Sequence, residues 1–153
     1  MEQCRWKLGG KPLAVRLLLA WCWSATNGVC TGSRGRYTLL EPIELARSAV
    51  EVASDRQASD IVLLDIRAVS LLADYFVICT AETERQLRAV VGAIVEDTEN
   101  KGQRPLHVEG SIESGWVLLD FGAVIVHVFT PEQREFYRLE RLWAQATTVL
   151  RMQ

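Results

Sequence analysis

The chain has 153 residues, 49% of them hydrophobic and 24% charged, with a formal net charge of -2. A chain of this length and balance buries about two-thirds of its unfolded surface as one ordinary domain, which excludes disorder of the whole chain. The near-neutral total hides an asymmetry: six Lys/Arg face one Glu up to Leu40, whereas 11 basic and 18 acidic residues follow it, a net of -7. Sequence-independent nucleic-acid binding needs Lys and Arg against phosphates, so the acidic body is poorly suited to it. Such a body suits a basic protein partner.

Residues 1–40 stand apart. They combine a basic start, an apolar stretch from Leu13 to Trp23 and a tail rich in Gly, Ser, Thr and Asn. The apolar stretch is interrupted by Arg16 and is too short to span a bilayer. It has a crude likeness to a secretory signal and a weaker one to an organellar transit peptide. The expectation is an unstructured extension, or sequence upstream of the true start, that takes no part in the fold. The four cysteines, Cys4, Cys22, Cys30 and Cys79, form no C-x-x-C pair and no dense disulfide framework, so a reducing compartment is expected.

From Glu41 onward the pattern is regular. Pro42 suits a first helical turn, and Ala46, Ala49, Val50 and Ala53 recur at helical spacing, predicting a helix that ends near Gln57. Ile61–Leu64 and Tyr75–Cys79 are continuous apolar runs of strand length; neither alternates, so both are expected in central positions with both faces covered. Thr83-Glu84-Arg85-Gln86 has the form of a capping box, followed by an amphipathic stripe of Leu87, Val90, Val91, Ile94 and Val95. Lys101-Gly102 closes that helix with a basic last turn and a C′ glycine.

Pro105 to Val108 is a short strand candidate. Trp116–Phe121 and Val124–Phe129 are two more, joined by Gly122-Ala123 as a tight hairpin. Thr130-Pro131-Glu132-Gln133 opens a last helix that continues through Phe136, Leu139, Leu142 and Trp143. The order α-β-β-α-β-β-β-α describes a single mixed-sheet α/β domain over 41–147, with 148–153 as a short C-terminal tail.

The chemistry-bearing residues are sparse. His107 and His127 are the only histidines, and no ligand pair has a tight metal spacing, so no metal is expected. Asp60, Asp65, Asp74 and Asp120 flank strands, where carboxylates also serve simply to terminate them. No two of these have the D-x-D spacing that puts both carboxylates on one strand face. No glycine-rich nucleotide loop, Walker loop or nucleophile elbow is present. No catalytic residue and no cofactor are expected.

The hairpin is more telling. A two-residue turn sets Phe121 against Val124, Leu119 against Val126 and Val117 against Val128, all apolar on one face. The other face then carries Trp116, Leu118 and Asp120 beside Ile125, His127 and Phe129. Either the first or last helix covers this second face, or it stays partly open as an apolar field for a partner. An open field would also offer a surface for pairing with a second copy.

These residues resemble the ribosomal silencing factor (RsfS, iojap) family. The likeness runs through 59–65, 70–78, Glu84-Arg85-Gln86, Val108-Glu109-Gly110, 115–120, 126–129 and 134–143, in order and without a large gap over about 42–145. It implies a nucleotidyltransferase-like fold without the catalytic carboxylates. It implies binding to the large-subunit ribosomal protein numbered fourteen and a block on joining of the small subunit, which silences translation; organellar relatives support large-subunit assembly. A cytoplasmic location follows, or a mitochondrial or plastid one if the leader is a transit peptide.

The resemblance centres the partner-binding surface on the sheet with the Gly-Trp motif, carrying over Trp116, Asp120 and His127 within the set Trp116, Leu118, Asp120, Ile125, His127 and Phe129. Neither a membrane nor sequence-specific nucleic acid is an expected partner. The alternative is a degenerate nucleotidyltransferase that binds a nucleotide through Asp65, Asp120 or Arg85. Two departures from the family pattern stand out: Gly122-Ala123 where Gly-Asp is usual, and Thr80-Ala81-Glu82 where Thr-Gly is usual.

Overall fold

The pattern from Pro42 onward is realised, in the computed structural model, as four helices and six strands; the structure describes residues 40–153. Helix α1 (Pro42–Asp55) buries Leu45, Ala46, Ala49, Val50 and Ala53 on one stripe. It stops two residues short of the predicted end, because Gln57 turns to a left-handed φ of 58°. Helix α2 (Glu84–Asn100) starts as its sequence predicts, with the Thr83 hydroxyl accepting the Gln86 N–H at 3.1 Å. The Gln86 side chain reaches back one residue further than a capping box, accepting the Glu82 N–H at 2.8 Å. Its amide also donates to the carbonyls of Arg56 and Gln57, tying the start of α2 to the end of α1. Gly102 closes α2 at a φ of 79°.

The strands are β1 (Ser59–Asp65), β2 (Tyr75–Thr80), β3 (His107–Ser111), β4 (Trp116–Asp120), β5 (Val124–Phe129) and β6 (Thr147–Met152). They lie in the order β3-β4-β5-β2-β1-β6, antiparallel except for the parallel pair β2 and β5. The expectation of two covered central strands holds: all of β2 and Ile61–Leu64 of β1 are buried. Helices α1 and α2 pack on one face of the sheet, over Ile61, Leu63, Val77, Cys79, Val117, Leu119, Val126 and Val128.

The structure differs from the sequence pattern in three places. Strand β3 begins at His107, not Pro105, and extends to Ser111 through Glu109 and Gly110, which have little strand propensity of their own. Pairing with β4 supplies what propensity does not; Gly110 sits at a φ of 86°, and a Cβ there would strike the Trp116 carbonyl. The last helix is broken: α3 (Pro131–Tyr137) and α4 (Leu139–Leu142) meet at Arg138, whose φ of 44° is left-handed. Thr130 makes no side-chain cap bond there. Finally, residues read as a tail form β6, antiparallel to β1 with a bulge between Leu63 and Leu64. All six β6 residues are exposed, so no burial pattern marks the strand; β1 imposes it.

Strand β6 covers an edge of β1 that is otherwise buried on both faces. Deleting residues 147–153 should therefore destabilise the domain by about 2 kcal/mol or more, since each lost ladder bond is worth about 1 kcal/mol net. Urea denaturation of the shortened chain measures it, and an unchanged midpoint would mean that β6 adds nothing.

Candidate functional site

The hairpin register follows the sequence pattern. Leu119 faces Val126 and Val117 faces Val128, while Trp116 pairs with Phe129, Leu118 with His127 and Asp120 with Ile125. The six partner-face candidates therefore share the second face of the sheet, as expected. That face is not an open field: Trp116 is 9% exposed, His127 1%, and Asp120, Ile125 and Phe129 are buried, leaving only Leu118 half-buried.

The cover is the broken last helix. Tyr137 lies on Trp116 with ring centroids 4.8 Å apart, and Trp143 meets Phe76 edge-on at 5.4 Å. Beneath them Trp116 stacks on Phe129 at 5.5 Å, and His127 lies parallel to Phe129 at 5.9 Å. Leu139 plugs in beside this layer. A straight helix could present only one stripe to the sheet; the turn at Arg138 lets Tyr137, Leu139 and Trp143 all face inward.

One side chain latches the cover. Arg134 donates from Nη1 to the Asp60 carbonyl at 2.6 Å and the Thr80 hydroxyl at 2.8 Å. Its Nε and Nη2 donate to Glu140 at 3.0 and 2.5 Å, and Nη2 also lies 3.1 Å from the Asp60 carboxylate. Arg151 on β6 meets the same carboxylate at 3.0 Å. Sequence reasoning missed Arg134 as a site residue. The available signal was a lone arginine on the inward stripe of an amphipathic helix, with a glutamate six residues on.

The carboxylates are committed elsewhere. Asp120 accepts the Gly122 N–H at 2.7 Å and so shapes the hairpin turn. Asp65 is held by Arg67 at 2.5 Å, and that hydrogen bond pulls its carboxyl below the usual range. Asp65 and Asp120 sit on β1 and β4 with β2 and β5 between them, about 14 Å at the usual strand spacing. Arg85 lies in the first turn of α2, which starts from the far end of β2. The three residues of the nucleotide alternative do not converge.

His127 is in an apolar setting. Neither of its ring nitrogens, nor the Trp116 indole N–H, has a hydrogen-bond partner among protein groups. Burial pushes the imidazole down to about 3, so it is a neutral flat ring in the stack at physiological pH. Outward from the cover point two large apolar side chains, Phe136 at 62% and Leu142 at 71% exposure.

A single six-stranded mixed sheet, with two long helices on one face and a latched aromatic cover on the other, defines a small α/β domain. The chain belongs to the ribosomal silencing factor family: the family model described as "Ribosomal silencing factor during starvation" matches residues 40–153. A ribosomal silencing factor of Halalkalibacterium halodurans is 38% identical over 106 residues, covering 69% of this chain and 91% of that one. The chloroplastic protein Iojap of Zea mays is 34% identical, over 71% of this chain and 47% of the relative. A crystal structure of a protein from Chromobacterium violaceum superposes with a TM-score of 0.66 at 30% identity, covering 69% and 88% of the two chains.

Two outcomes follow from the packing. Because Trp116 is a layer residue with rings on two sides, Trp116→Ala should cost about 3–5 kcal/mol of folding stability; calorimetry showing an unchanged melting temperature would contradict the stacked layer. His127 binds its proton in the unfolded chain near pH 6.5 but in the folded domain only near 3. Its contribution is therefore complete above pH 6.5 and is lost as pH falls towards 3, at up to about 1.4 kcal/mol per unit. Denaturation across that range should show a shallower acid decline for His127→Phe than for the parent; equal slopes would mean that His127 is hydrated in the fold.

Proposed function

We propose that this domain binds the large ribosomal subunit through its ribosomal protein numbered fourteen and blocks joining of the small subunit, repressing translation without catalysis of its own. The observation that carries the reading is the family match over residues 40–153, which spans every described strand and helix. The net charge of -7 beyond Leu40 supports it, because a basic ribosomal protein gains association rate from an acidic body. The separation of Asp65, Asp120 and Arg85 takes support from the nucleotide-binding alternative.

In this reading the set Trp116, Leu118, Asp120, Ile125, His127 and Phe129 acts mainly from beneath, as the rigid layer that fixes the shape of the partner-facing side. Leu118 is the most exposed of the six. The cytoplasm is the location proposed; a chloroplastic relative keeps an organelle as the alternative. No helix of the described residues is long and apolar enough to cross a membrane.

Purified protein should co-sediment with isolated large subunits and should slow the light-scattering rise when small subunits are added. Binding should weaken between about 50 and 300 mM salt, mainly through slower association as charges are screened. Failure to co-sediment at low salt would defeat the reading, and an association rate indifferent to salt would defeat its electrostatic part.

A further inference from the structure

The described residues carry exposed large apolar side chains in three places. Leu71, Leu106 and Val108 lie at a loop and at the β3 edge; Val149, Leu150 and Met152 lie on the β6 edge; Phe136 and Leu142 lie on the cover. The last pair stands directly over the aromatic layer. Phe136 meets Tyr137 edge-on at 5.1 Å, and Tyr137 is itself pinned on Trp116 and Phe129. Leu142 sits three residues after the buried Leu139 and one before Trp143, which is held against Phe76. The Arg134 latch joins both short helices to the ends of β1 and β2.

A rigid apolar projection loses little entropy on docking, which is what separates an anchor from an incidental exposed side chain. The composition fits as well. Interface cores are enriched in aromatic residues and arginine, and 134–143 holds Phe136, Tyr137, Trp143 and three arginines within ten residues. Charge selects the partner. Arg134 is buried and neutralised, Arg138 is paired to Glu135, and Arg141 is exposed on α4. Glu132 at the start of α3 and Glu82 beside the cover add carboxylates to the rim. The rim thus carries both signs, and it is the net charge of -7 beyond Leu40 that suits this apolar centre to a basic protein surface.

The geometry points to the outer surface of the α3–α4 cover, with Phe136 and Leu142 as its anchors, as the place where the domain meets its basic ribosomal partner. This assignment rests on the ribosome-binding reading above and adds the surface to it. It moves the contact from the sheet to the cover that lies on it. The aromatic layer is then the support and the cover is the contact.

The experiment compares the full chain with Phe136→Ala/Leu142→Ala and with Leu71→Ala, by co-sedimentation with isolated large subunits and by thermal unfolding. Anchors of this kind commonly cost 2 kcal/mol or more on truncation, so the double variant should bind about thirtyfold more weakly. Its melting temperature should match the parent, since both side chains are mostly in solvent. Leu71→Ala should bind as the parent does. Parent-like binding by the double variant, with the parent itself bound, overturns the surface and leaves the ribosome reading standing. So does loss of binding in Leu71→Ala alone. Loss of binding together with a large fall in melting temperature overturns the claim that the anchors are free of the fold. A parent chain that does not bind overturns both readings.

Discussion

Arg134 brings a full positive charge to a place where only 10% of its side chain meets water. An unpaired charge there would cost several kcal/mol, so the position is tenable only if its donors are used. They are used by groups from three parts of the chain: Asp60 at the start of β1, Thr80 at the end of β2, and Glu140 on α4. The arrangement is reciprocal. Glu140 can reach the guanidinium because the helix breaks at Arg138, and the same break sends Leu139 inward. Without this node, two helices of seven and four residues would have little reason to hold their shape, since isolated helices so short are not stable in water.

The other layer is held by different means. Helices α1 and α2 bury continuous apolar stripes, and besides the Gln86 amide a second polar bridge joins them: Lys101 donates to Ser48 at 2.5 Å and to Asp97 at 2.7 Å, while Ser48 donates to Asp97 at 2.5 Å. The sheet thus has an apolar layer on one side that would form with little help. On the other side it has an aromatic layer whose cover depends on a single buried cation. That difference bears on the binding role proposed above, because the more specified side is also the one that projects rigid apolar groups.

Much of this was legible in the sequence, and for local reasons. Helix α2 announced itself through Thr83, Gln86 and the stripe from Leu87, and the Gly122-Ala123 turn set the register that placed Trp116, His127 and Phe129 on one face. What failed to show was non-local. Strand β6 has no burial pattern because β1 alone makes it a strand, and the extension of β3 through Gly110 depends on β4 lying beside it. Whether the second face was covered or open stayed undecided in the sequence, because a continuous last helix has too narrow a stripe to cover it. The left-handed turn at Arg138, which no sequence signal marked, lets two short helices do so. The family likeness was legible throughout, since it rests on residue types in order and not on their exposure.

The pairing of β1 with β6 also sets the order of events when the chain is made. Ile61 lies beside Met152, so about ninety residues separate the partners. At a synthesis rate of about 5–20 residues per second, β1 emerges several seconds before the strand that shields its edge exists. During that interval α1 and β2 are present to bury its side chains, but one row of its backbone groups has only water to bond. The domain is therefore completed at its last strand. A pause or truncation before β6 is made leaves an open template for pairing with other chains.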